Sequence, residues 1–171
     1  MNKSLLLAAA ASGLVIVSVT VASTAVFTRA VTPAPAIAFP GLTTIYVGSG
    51  VYDDGGGANA GNATSIHCSN VSGVQVDIRG LVLDPNGGPI GAPGTETVAH
   101  GATVTFSTHS VDSFFDNHSF GTGALNKGVV NIESTNSGVF CTAMIINGAG
   151  NNVDGVQLHL VRVSPHPGTV E

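Results

Sequence analysis

Tryptophan is absent from this chain, tyrosine occurs twice, cysteine twice, and only 9% of the 171 residues are charged. Each scarcity excludes something. Beyond residue 36 only Arg79, Lys127 and Arg162 are basic, against all ten acids. A nucleic-acid backbone is bound by clustered Lys and Arg, so nucleic acid is excluded as a partner. Anionic lipid should repel the same surface. With Tyr46 and Tyr52 the only aromatics beyond phenylalanine, the flat faces that usually bind sugar rings are scarce. There is no Gly-x-Ser-x-Gly elbow and no His-Glu-x-x-His pair, so the common serine-hydrolase and zinc-protease signatures are missing. No cofactor motif, internal repeat or useful amphipathic helix follows the first 30 residues. Low charge does not mean disorder here, because valine and isoleucine recur at regular intervals.

Positions 1–29 read as a leader. Lys3 precedes an uncharged stretch, Ser4 to Thr28, with Leu5-Leu6-Leu7 and Val15-Ile16-Val17 in it. A positive start followed by an apolar run is the anatomy of a secretory signal. Ser23-Thr24-Ala25 and Ala34-Pro35-Ala36 offer small residues for cleavage. The stretch is 25 residues long, enough to cross a bilayer as an uncleaved anchor, and Lys3 and Arg29 give little charge asymmetry to orient it. Both readings put the rest of the chain outside the cytoplasm, and the membrane enters only through this segment. Positions 30–41, with Pro33, Pro35 and Pro40, read as a tether. One domain is expected over 42–166 and a short tail over 167–171.

Within the domain the pattern is β. Strands are expected at 43–47, 64–68, 74–83, 128–133, 139–146 and 156–163. The clearest is 74–83: Val74, Val76 and Ile78 alternate with Gln75, Asp77 and Arg79, which predicts one buried and one wet face. Asp84-Pro85-Asn86-Gly87-Gly88-Pro89 is turn chemistry. Residues 96–99 and 103–108 around His100-Gly101 read as a hairpin, with Val104 and Phe106 inward. Residues 110–126 are irregular, and Ser113 with Asp116 suits one short capped helical turn. Seven or eight strands with frequent turns predict a sandwich or barrel.

The cysteines choose between these. Cys68 shares a strand face with Ile66, and Cys141 shares one with Val139 and Ala143, so both point inward. Two inward thiols outside the cytoplasm should pair. A bridge between the second and the penultimate strand predicts an immunoglobulin-like antiparallel sandwich with an inter-sheet disulfide, although the tryptophan that packs on that bridge in antibody domains is missing.

Three segments carry a resemblance: Asp53-Asp54-Gly55-Gly56 with Ala63-Thr64-Ser65-Ile66-His67-Cys68-Ser69-Asn70, Val98-Ala99-His100-Gly101-Ala102-Thr103-Val104, and Val139-Phe140-Cys141-Thr142-Ala143. Together they resemble a group of small exported bacterial proteins, over most of residues 43–165. The resemblance implies a β-sandwich in a bacterial envelope or secreted context, and carries over no catalytic residue.

The candidate chemistry is sparse. His67 and His159 fall on outward strand positions, His100 in a turn and His166 between two prolines. His109 and His118 flank Asp112 and Asp116, and these four are the candidate metal ligands, since imidazole and carboxylate on one loop suit zinc or a similar ion. Asp53 and Asp54 with Asn59 and Asn62 could offer oxygens to calcium, without the spacing of an EF-hand loop. Otherwise both segments are polar loops. The expected function is a non-enzymatic structural or interaction protein of the bacterial envelope or medium, with no cofactor and a protein or surface partner. The alternatives are a metal- or small-ligand-binding module using residues 109–118, and a hydrolase whose carboxylates meet only in space.

Overall fold

A computed structural model describes residues 41–149 and 154–164. The leader, the tether up to Pro40, His166 and the tail lie outside the described residues. Ten strands form one sheet: β1 (Thr43–Asp53), β2 (Asn62–Asn70), β3 (Val76–Leu83), β4 (Pro89–Val98), β5 (Thr103–Ser107), β6 (His118–Ser119), β7 (Leu125–Ser134), β8 (Val139–Asn147), β9 (Gly155–Leu158) and β10 (Leu160–Arg162). No helix lies among the described residues, so the helical turn expected near Ser113 is replaced by turns and the short β6.

Two arcs make up the sheet, β4-β3-β7-β1-β10 and β6-β5-β2-β8-β9, antiparallel throughout except for the β5–β6 pair. They join where Asp53 on β1 pairs with Ala63 on β2, and again at His159, where the expected single strand 156–163 divides and passes from β8 to β1. On the other side Ala92 N–H of β4 donates to Phe120 O at 2.7 Å. The sheet is therefore rolled nearly into a barrel.

The periodicity explains the layers. In β7, Gly128, Val130, Ile132 and Ser134 are buried and the residues between them half-buried, the period of two that a pleated strand imposes. Gly50, at φ +84°, sits at a register shift in β1, where a bulge needs a left-handed residue. Inside, Ile45, Ile66, Ile78, Val104, Phe106, Val130 and Ile132 form the main core. The Phe106 and Phe120 rings stack at 5.8 Å. Gly80 and Gly94 are register partners on β3 and β4. A Cβ at Gly80 would overlap the Phe120 ring, and one at Gly94 the His118 ring. These two mid-strand glycines let aromatic rings lie on bare backbone.

Several expectations are corrected. Residues 96–108 are not a hairpin: β4 pairs with β3, while β5 pairs with β2 and β6. The turn at Ala99–Ala102 thus carries the chain between arcs. β4 starts at Pro89 and contains Pro93, which it tolerates as the end strand of its arc. Val74 precedes β3 and is exposed. Val76 and Ile78 are buried as expected, but so is Arg79, expected outside. Its register partner is Glu133, with Nη1 3.2 Å from the carboxylate, so the buried charge is compensated.

The disulfide forms between Cys68 and Cys141, but not between sheets. The two residues are direct register partners on the neighbouring strands β2 and β8, with Cα atoms 4.1 Å apart. Partners across a ladder share a face, so the bridge reinforces one arc from within.

Candidate functional site

A buried polar cluster lies where β1 ends. Asp53, the last residue of β1, is wholly buried. Its Oδ1 accepts the Gly55 N–H at 2.7 Å. Its Oδ2 lies 2.9 Å from His109 Nδ1 and 3.2 Å from the Thr122 hydroxyl. The acceptor is a carboxylate, so the imidazole carries its proton on Nδ1. His109 follows the end of β5 and is itself buried. Its other nitrogen, Nε2, is buried without a hydrogen-bond partner among the described residues. A Cβ at Gly148 would come within 3.1 Å of it. Beside the cluster is a pocket of about 290 Å³ lined by Asp53, His109, Ser110, Ser119 and glycines of the 54–61 and 120–124 loops.

The 54–61 loop is built on carboxylates. Asp54 accepts the N–H groups of Gly56 at 2.9 Å and Asn62 at 2.7 Å. The Asn62 N–H holds its carboxyl below the ordinary range; desolvation opposes it, and Gly56 and His109 add smaller help. Of the oxygens suggested for calcium, those of Asp53 and Asp54 already accept internal donors: Asp53 turns inward and Asp54 holds its own loop's N–H groups. Asn59 adopts φ 56° with its N–H on Ser110 O.

The metal candidates separate. His109 belongs to Asp53. Asp116 Oδ2 accepts the Val111 N–H at 2.8 Å. Burial pushes the Asp116 carboxyl up, opposed by that N–H, the Ser107 hydroxyl and His109. Asp112 is exposed, and its N–H donates to Gly148 O. His118 sits in the seam between the arcs, Nε2 3.0 Å from Ala92 O and its ring edge-on to Phe120. Among the described residues no three His, Cys, Asp or Glu side chains form a group able to hold a metal ion.

A second feature lies on the outer face of β5-β2-β8. Residues 108–117 cross it as a strap, and Val111 and Phe114 pack with Ala63, Met144 and Ile146. This covers Ser65 and Ser107, which alternation alone would leave wet. His67 is outward, as its parity requires, but half-buried with the Phe114 ring 4.4 Å away. Its Nδ1 lies 3.1 Å from Thr105 Oγ1 and its Nε2 3.4 Å from Ser65 Oγ. Burial lowers its pKa. At the tip of the strap Phe115 is fully exposed.

The Asp53–His109–Thr122 cluster is not legible in the sequence, because its members are 56 and 69 positions apart. The one available signal was an aspartate closing a strand and a histidine just past another. No family model, curated protein or solved structure matches the chain.

Proposed function

We propose that the chain is an exported β domain that acts by surface contact, as a structural or interaction protein of the bacterial envelope or medium, without turnover. One observation carries this reading: the ionisable groups of the central cluster are engaged in holding loops. Both Asp53 oxygens accept internal donors, and His109 faces that carboxylate with Nε2 enclosed near Gly148. A general base must reach a reacting proton; the His109 ring borders the pocket, but its Nε2 is buried. The Cys68–Cys141 bridge agrees with an oxidising compartment. Exposed Phe115, Phe140, Val156, Val161 and Val163 offer apolar contact points. The finer immunoglobulin-like reading is supported by two five-stranded arcs around one core, and departs from that type in its bridge within one arc.

The test has two arms. Expressed with its leader in a bacterial host, the protein should reach the periplasm, envelope or medium with no free thiol; reduced cytoplasmic protein would contradict export. Purified protein should show no hydrolysis of chromogenic ester, glycoside and phosphoester substrates. Turnover abolished by His109→Ala would replace the contact reading with an enzymatic one.

A further inference from the structure

We propose that residues 108–117 form a pH-sensitive strap: proton uptake by His67 beneath Phe114 releases the strap from the sheet and bares the apolar cluster under it. The geometry is that of a closure resting on a titratable seat. The strap's apolar contacts are confined to Val111 and Phe114 against Ala63, Met144 and Ile146, a patch separate from the main core. Its polar attachments gather at its two ends: Thr108 exchanges bonds with Thr64 and accepts the Thr122 N–H, His109 meets Asp53, Ser110 O accepts the Asn59 N–H at 2.8 Å, and Asn117 donates its N–H to Thr105 O at 2.9 Å and accepts the Thr105 N–H at 2.8 Å. Between the ends, Asp112 N–H reaches Gly148 O at 3.0 Å. Phe114 sits edge-on to the His67 ring.

A neutral imidazole suits this seat, with one ring nitrogen donating to a hydroxyl and the other accepting. An imidazolium does not, because it loses hydration beneath a phenyl ring with no anion beside it. The elements packed on His67 bring no compensating charge. Neither β5 (Thr103–Ser107) nor β8 (Val139–Asn147) contains a charged residue. The strap carries His109, Asp112 and Asp116; His109 is held by Asp53, Asp112 points to solvent and Asp116 binds the strap's own Val111 N–H. Burial is the resolved cause acting on His67.

The sign follows from linkage. With the strap closed, His67 holds its proton less tightly than at the ordinary 6.5; released, it returns toward that value. Opening therefore grows as pH falls through 6.5 and levels off below the value in the closed state. Asp116 works the other way. Burial raises it above 3.8, so closure is favoured again as pH falls through that raised value. The strap should be loosest at mildly acidic pH and partly recover in stronger acid.

Native-state hydrogen exchange tests this on the full protein. Protection of the Asp112 and Asn117 amides, relative to the Ile132 amide in the core, should fall at least about threefold between pH 7.5 and 5.5, since one unit of pKa displacement corresponds to tenfold. His67→Gln, which keeps hydrogen-bonding capacity without titrating, should abolish the fall. Asp116→Asn should keep the fall and remove the recovery. As a second measurement, His67 followed by NMR should titrate at higher pH in Phe114→Ala than in the parent protein. Strap protection independent of pH, an equal fall in His67→Gln, or identical His67 titration with and without Phe114 would each overturn the proposal.

Discussion

The Arg162 guanidinium donates to the Tyr46 hydroxyl at 2.7 Å, joining β10 to the strand beside it across 116 positions of sequence. The same group reaches Val139 O at 2.9 Å and Ser137 O, and lies over the Tyr46 ring. It ties the entry of β8, in one arc, to the β1–β10 pair of the other. Arg162→Ala should lower stability by about 1.5–3 kcal/mol, the range for lost hydrogen bonds to a charged group. Arg162→Lys should recover less than half, since a point ammonium cannot reproduce the fork. Urea denaturation checks both; a loss under about 0.5 kcal/mol, the scale of a surface change, would show that the contacts contribute little.

Arg79 and Ile78 are adjacent on β3 and both buried, for different reasons. Ile78→Ala should cost about 2–5 kcal/mol through lost burial and a residual cavity. Arg79→Ala strands Glu133 in a half-buried site and should cost about 3–5 kcal/mol if burial governs the pair. Replacing both members, Arg79→Met with Glu133→Leu, should restore much of that loss. A double replacement as unstable as Arg79→Ala alone would mean that charge compensation is not the reason.

Thiol titration of the unfolded, unreduced protein should find no free cysteine. Losing the bridge through Cys68→Ser should cost about 2–5 kcal/mol, yet the β2–β8 register should survive, because hydrogen-bonded pairing runs from Asn62–Asn147 to Asn70–Val139. Far-UV circular dichroism below the transition should therefore match the parent protein. A lost β signal would show that the bridge sets the pairing.

Removing the Asp53 charge should loosen both loops it holds. Asp53→Ala should cost about 3–5 kcal/mol, the usual effect of breaking a buried pair. Exchange of the Gly55 and Thr122 amides should rise first. Zinc or calcium should leave the melting temperature unchanged. A bound ion at 100 times its dissociation constant would add about 2.7 kcal/mol, and such a rise, lost in His109→Ala with His118→Ala, would restore the metal reading.

Acid should act on the 54–61 loop through Asp54. Its carboxyl is held below 3.8 in the folded chain, chiefly by the Asn62 N–H. The stabilising effect is thus present above that value and lost as pH falls through the lowered one. Asp54→Asn should make protection of the Gly56 amide, taken relative to its intrinsic exchange rate, insensitive to pH between about 5 and 2, a range spanning ordinary and depressed carboxyl values. Unchanged sensitivity would assign the effect elsewhere.

By itself the sequence determined the features that rest on local period and compartment chemistry. Val76 and Ile78 inward, His67 outward with Cys68 inward, Val104 and Phe106 in the core, and the pairing of two inward cysteines follow because neighbours on a strand face opposite sides. Which strands become neighbours is invisible to that period. Only the tertiary structure decided that β4 and β5, joined by a tight turn, pair with different partners, and that Cys68 faces Cys141 within one arc. It also decided that Arg79 is buried opposite Glu133 and that Asp53 meets His109 beneath two glycine-bearing loops. Strand order is selected by the closure of the whole sheet over one core, and a contact across 50 to 70 residues leaves no periodic trace along the chain.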